Sequence, residues 1–266
     1  MNAEYIMPKE FTQKAEGVTY GKLVNISYPS NCVKKERKAN VLLPANYSED
    51  KEYPIVYLLH GIGGDEEEWF MANPVEIMGN LMAKGMIQEM IAVFPNVRVR
   101  ENDANNPDDI FTKEHFEAFD RFLIDLTENL MPYMESHFSV KKGRENTAIA
   151  GYSMGGRETL YISFTRPDLF SYIGAFSPAF GLLPYENNGV REEGLMKDNH
   201  FKLPSEYPAY VCVMNGDNDL VVRDEPHKYH VELEKAQTEH LYYEIPGGHD
   251  FDVWGSGIYY FTQQIF

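Results

Sequence analysis

The run Ala148-Ile149-Ala150-Gly151-Tyr152-Ser153-Met154-Gly155-Gly156 decides the fold. Apolar residues of strand character lead into a serine set between glycines, and the segment that follows, Arg157 to Thr165, reads as a helix. This is the G-x-S-x-G pattern of a nucleophile elbow. Its logic is steric: a hydroxyl can attack a carbonyl only if it stands clear of its own backbone, so the chain must turn sharply from strand to helix. The turn presses strand and helix together, and the positions two before and two after the serine, Gly151 and Gly155, have room for almost no side chain. The helix then points free N–H groups at the place where negative charge would develop.

A serine needs a base and an orienting acid, which in elbow-bearing folds follow in the order Ser, Asp or Glu, His. Of the downstream histidines, His249 sits in Pro246-Gly247-Gly248-His249-Asp250-Phe251, between the strand pattern Leu241 to Ile245 and the closing helix pattern Val253 to Phe266. His227 and His230 lie one helical turn apart, but with no third ligand nearby they do not make a metal site. For the acid, Met214-Asn215-Gly216-Asp217-Asn218-Asp219 directly follows a buried strand pattern, which makes Asp219 the first choice, Asp217 the reserve and Asp224 a distant third. The acid would fix the His249 tautomer and stabilise its imidazolium.

Upstream, Tyr53-Pro54-Ile55-Val56-Tyr57-Leu58-Leu59 is a continuous apolar run suited to a strand buried on both faces of a parallel sheet, and it delivers His60-Gly61-Ile62-Gly63-Gly64 to its end. The backbone amides of Met154 and Ile62 are the expected oxyanion donors. No Lys-Ser/Thr follows these glycines, so the loop is not a phosphate cradle.

Thr19 to Tyr28 and Lys38 to Leu43 read as an antiparallel strand pair turning around Pro29, Ser30 and Asn31. Asn73-Pro74 reads as an N-cap and first helical position, opening a helix to about Lys84. Met90 to Phe94, Tyr172 to Phe176 and Ala209 to Asn215 are further buried strands, and Val221 to Gln237 includes a helix. Pro95 to Thr112 reads as a long surface loop. Phe116, Phe119, Leu123, Leu126 and Leu130 then mark one long amphipathic helix. Ser177 to Pro208, with four prolines and little periodicity, reads as an insertion covering the catalytic face. Alternating strands and helices predict a single α/β domain over residues 1–266 with a mostly parallel central sheet and helices on both faces.

Composition sets outer limits. The chain has 24 Lys and Arg against 41 Asp and Glu, a net charge of −17 that opposes binding to nucleic-acid phosphates and anionic membranes. No apolar run approaches the roughly 18 residues needed to span a bilayer, and Met1-Asn2-Ala3-Glu4-Tyr5 lacks the features of a signal peptide, which reads as a cytoplasmic chain or a trimmed one. Cys32 and Cys212 form neither a disulfide framework nor a metal site, with a single bridge between them as the less favoured alternative.

Taken together, Tyr57-Leu58-Leu59-His60-Gly61-Ile62-Gly63-Gly64, Trp69, Pro95-Asn96, Gly151-Tyr152-Ser153-Met154-Gly155-Gly156, Gly216-Asp217-Asn218-Asp219 and Gly248-His249-Asp250-Phe251-Asp252-Val253-Trp254 resemble the feruloyl and acetyl-xylan esterases of carbohydrate esterase family one. The resemblance runs from about Tyr20 to Phe261. It implies an α/β-hydrolase fold, a Ser153, Asp219, His249 triad working without metal or cofactor, and release of hydroxycinnamates from plant-wall arabinoxylan. Such enzymes are commonly secreted, often as modules of larger polysaccharide-degrading proteins. Trp69 and Trp254 would then flank an aromatic acyl group or stack on a sugar, or else serve as ordinary core aromatics, and Asp65 and Asn96 would contact a phenolic or sugar hydroxyl. The other readings are an acetyl-xylan esterase, an intracellular S-formylglutathione-type thioester hydrolase, and a catalytically inactive carbohydrate-binding protein. Formylglutathione enzymes usually place His-Gly-Ala after the paired glycines, whereas here Arg157-Glu158 follows them.

Overall fold

Runs without a polar interruption form the middle of the sheet, because a strand covered by helices on both faces must be apolar at nearly every position. The computed structural model describes residues 3–187 and 190–266. Its strands are β1 (Lys22–Ser30), β2 (Lys35–Leu43), β3 (Ile55–Leu59), β4 (Ile91–Pro95), β5 (Thr147–Tyr152), β6 (Tyr172–Phe176), β7 (Tyr185–Asn187), β8 (Val190–Glu192), β9 (Tyr210–Gly216) and β10 (Leu241–Ile245). Its helices are α1 (Pro74–Ala83), α2 (Lys113–Asp120), α3 (Phe122–Asp125), α4 (Met131–His137), α5 (Met154–Thr165), α6 (Glu225–Lys235) and α7 (Phe251–Thr262).

Eight strands form one sheet in the order β1-β2-β4-β3-β5-β6-β9-β10, antiparallel through β1, β2 and β4 and parallel from β4 to β10. Side chains alternate across it. Ile55, Tyr57 and Leu59 of β3 face a core shared with α2 and α6, while Val56 and Leu58 face a second core built on α1 and α7. The parallel arrangement brings the ends of β3, β5, β9 and β10, and thus their loops, to one edge.

The first hairpin differs from the sequence reading. Pro29 and Ser30 lie inside β1, and the turn falls after Ser30, which pairs with Lys35. A long-range cluster carries the strand onward: the buried Asp125 carboxylate accepts from Tyr28 Oη at 2.7 Å, from Arg37 Nη1 at 2.5 Å and from Ser30 Oγ. Proline is tolerated there because β1 is an edge strand. The long helix is present but irregular. It runs through α2 and α3 across Arg121, which keeps helical dihedrals (φ −66°, ψ −14°), widens into a π segment over Leu126–Leu130 immediately after Asp125, and resumes as α4. Asn73 precedes α1 in a left-handed conformation (φ 55°) and gives no side-chain cap, so Pro74 at the first turn marks that start. The stretch after Pro95 is not wholly a surface loop, since Asn96, Val97, Arg98 and Val99 are buried.

The segment 177–208 carries the short antiparallel pair β7–β8 and a 3-10 turn at Asp198–Phe201; residues 188 and 189 of it lie outside the described residues. Its beginning is tied to the elbow, because Ala179 N donates to Ser153 O at 2.9 Å and Tyr229 Oη donates to Ala179 O at 2.7 Å. Both cysteines are free thiols.

Candidate active site

Ser153 closes β5 and opens α5 at φ 53° and ψ −121°, a conformation a non-glycine residue adopts only under constraint. The constraint is close approach. A Cβ at Gly155 would lie 2.2 Å from Leu59 O, and one at Gly151 would lie 2.5 Å from the Gly155 carbonyl. Only glycine at both positions lets helix and sheet approach so closely.

His249 comes from the loop between β10 and α7. Asp250 caps α7, accepting from Asp252 N at 3.1 Å and Val253 N at 3.0 Å through Oδ1, and its Oδ2 takes Gly248 N at 3.1 Å. The histidine is thereby clamped between two residues held by one carboxylate. Its Nε2 lies 3.0 Å from Ser153 Oγ and its Nδ1 lies 2.7 Å from Asp219 Oδ2. A carboxylate partner at Nδ1 requires the N–H there, which leaves Nε2 free to accept the serine proton.

The three candidate acids part company in space. Asp219 reaches His249 and is buried, and its Oδ1 accepts from Val221 N at 3.0 Å and Val222 N at 3.1 Å. Burial pushes its carboxyl up, but the hydrogen bond and charge of His249 and the two amides outweigh that and hold it below the ordinary carboxylate range. Asp217 instead accepts from Gly247 N at 3.2 Å and braces the histidine loop. Asp224 pairs with Lys228 at the start of α6. His230, meanwhile, is occupied by His240, 2.7 Å away.

Met154 is the first residue of α5, where helical geometry leaves its N–H without an intrahelical acceptor. Ile62 sits in a turn closed by Gly64 N donating to Gly61 O at 3.2 Å. Two residues that no sequence pattern indicated hold this turn. His115 of α2 bonds Ile62 O through Nε2 at 2.8 Å. Arg98, buried, donates to Gly64 O at 2.5 Å, to Asp103 O at 2.8 Å and to Ala104 O at 2.5 Å, and so ties the turn to the 95–112 segment. His60 completes the frame as a neutral connector: Nδ1 bonds Gly61 O at 2.7 Å and Nε2 accepts from Val97 N at 2.8 Å. Burial lowers its pKa to about 3.

The four residues expected at the substrate are placed less simply. Trp69 is 1% exposed, edge-on to Tyr152 at 4.6 Å and to Phe176, so its ring belongs to the core. Trp254 stacks on Tyr152 at 4.0 Å and stands edge-on behind His249 at 4.9 Å. Asn96 uses both ends of its amide internally, donating to Glu66 and to Asp103 O and accepting from Arg98 N, and it is buried. Asp65 is half-buried and accepts from Glu67 N at 3.0 Å. A cleft of about 350 Å³ lies between α2 and the β7–β8 pair, bounded by Phe116, Asp120, Arg157, Tyr185 and Leu195; neither Ser153 nor His249 lines it.

The profile of the Esterase family matches residues 30–259. An endo-1,4-beta-xylanase/feruloyl esterase of Xylanibacter ruminicola is 33% identical over 179 residues, 64% of this chain and 23% of that protein. Endo-1,4-beta-xylanase Y of Acetivibrio thermocellus is 26% identical over 218 residues, 73% of this chain and 18% of the other. The chain thus spans about a quarter or less of the length of these curated relatives. A solved CE1 ferulic acid esterase from Anaeromyces mucronatus, in complex with ferulic acid, superposes with a TM-score of 0.91 at 40% identity, covering 98% of this chain and 97% of that one. Match, identity and coverage together place this chain in the Esterase family, as an α/β-hydrolase of the CE1 ferulic acid esterase group.

Proposed function

We propose that this protein is a serine feruloyl esterase that releases ferulate and coumarate from arabinoxylan by acyl transfer through Ser153 to water. The observation that carries the reading is the continuous hydrogen-bonded line from Asp219 through His249 to Ser153 Oγ at the elbow, in a chain 40% identical to a ferulic acid esterase. As Ser153 Oγ attacks the ester carbonyl, His249 Nε2 takes its proton, and the amides of Ile62 and Met154 receive the oxyanion. The imidazolium then protonates the leaving sugar alcohol. In the second half His249 activates a water that attacks the acyl-enzyme and frees the hydroxycinnamate. Asp219 remains ionised throughout, consistent with its depressed pKa.

A wall polysaccharide cannot enter a cell, so the reading carries with it secretion and work beside xylan-cleaving modules. Among the described residues no helix is long and apolar enough to cross a membrane.

The test is parallel hydrolysis of methyl ferulate, acetylated xylan and S-formylglutathione by wild type and Ser153→Ala. Ferulate release that falls by about 10⁴-fold or more in the variant is expected. Acetate release alone would replace the acyl group, and turnover of the thioester alone would replace the substrate class. Failure of a fluorophosphonate to label Ser153 would leave only a binding protein.

A further inference from the structure

Two of the loops assigned to the chemistry meet on one carboxylate oxygen. Glu68 opens the single-turn segment Glu68–Ala72, and its Oε2 accepts both from Tyr152 Oη and from the backbone N–H of Gly61, 3.3 Å away. Tyr152 is the residue before Ser153, and Gly61 is the residue before Ile62. One oxygen therefore spans the entry to the nucleophile and the entry to the second oxyanion donor.

The surroundings leave Glu68 little freedom. A Cβ on Gly64 would fall 2.3 Å from its Cδ, so the turn is pressed against the carboxylate, and a Cβ on Gly61 would fall 2.7 Å from the Tyr152 ring. That ring stacks on Trp254, which backs His249. The contacts that begin at Glu68 thus reach the serine, the oxyanion turn and the histidine loop.

We propose that Glu68 is a positioning residue for acyl transfer, whose Oε2 sets the spacing between Ser153 and the Ile62 amide and so shapes the oxyanion hole. The inference rests on the roles assigned above to Ser153 and Ile62. Oxyanion donors act only when they lie about 2.7–3.1 Å from the developing charge. A misplacement of about 1 Å can cost on the order of 100-fold in rate. Because this stabilisation is made in the transition state, its loss lowers kcat and leaves KM nearly unchanged.

The experiment compares Glu68→Gln, Glu68→Asp and Glu68→Ala for kcat and KM on methyl ferulate, for affinity toward an aryl boronic acid that adds to the serine as a tetrahedral adduct, and for Tm. Glutamine presents an acceptor oxygen at the same reach and is expected to stay within about 3-fold of wild type, since a neutral acceptor still satisfies both donors. Aspartate keeps the charge but withdraws the oxygen by one methylene, and should lose about 10- to 100-fold in kcat and in boronate affinity together, with KM within about 3-fold. If Glu68→Ala does not fold, the Gln and Asp variants decide. The proposal is overturned if Glu68→Asp equals wild type, if Glu68→Gln is the impaired one, or if Tm falls while kcat and boronate affinity hold. Wild-type rates in Ser153→Ala would instead overturn the nucleophile itself.

Discussion

At the level of single residues, what separates Asp219 from its neighbours is one hydrogen bond and two amides. Asp219→Asn keeps the shape of the site but offers His249 a neutral partner that can favour the wrong tautomer. We expect kcat on methyl ferulate to fall by about 10³- to 10⁴-fold with Tm and KM nearly unchanged, measured by initial rates and thermal melting. Ser153 and His249 could be read from sequence because their flanking glycines and strand-loop-helix context are local. Asp219 could be read only as one of three, because two residues of spacing decide whether a carboxylate points at the histidine or, like Asp217, at the next loop. Glu68, Arg98 and His115 could not be read at all. The groups they hold are chiefly backbone atoms of other loops, and the sequence carries no mark of a carbonyl or amide that needs a partner. The two tryptophans and Asn96 show the reverse: residue types suited to sugars and phenols whose side chains are buried inside the protein.

Among the elements, the junction of β5 with α5 is the least tolerant. A Cβ at Gly155 would meet Leu59 O at 2.2 Å and His60 O at 2.6 Å, both backbone atoms that cannot rotate away. Gly155→Ala should therefore lose about 3 kcal/mol. Gly63→Ala, where the nearest atom is a side-chain oxygen at 3.8 Å, should stay within about 0.5 kcal/mol. Urea denaturation of the two variants checks both figures. Element identity was legible wherever burial imposed a continuous apolar run, as in β3 and β5, or where a histidine loop punctuated the chain, as before α7. The end of β1 and the π segment between α3 and α4 were not legible. Both adjoin the Asp125 cluster with Tyr28, Ser30 and Arg37, which joins residues about ninety positions apart.

Over the whole molecule, stability should depend on pH through His60. Its pKa in the fold, about 3, lies below the ordinary value of 6.5, so in this range the unfolded chain binds a proton that the folded one does not. The stabilisation is complete above pH 6.5 and is lost as pH falls toward 3. At pH 5 this amounts to about 2 kcal/mol relative to pH 7. His115, also lowered by burial, acts in the same direction. Urea midpoints across pH 7 to 5 should show a steep decline in wild type that is shallower by about that amount in His60→Gln; equal slopes would locate the proton elsewhere.

The backbone of Ser153, at φ 53° and ψ −121°, is one that glycine would occupy with ease. On the role proposed for Ser153, a Ser153→Gly chain should be inert and sturdier. A serine here therefore sets chemistry against the interest of the fold, and the conflict is written in a dihedral angle rather than in a contact.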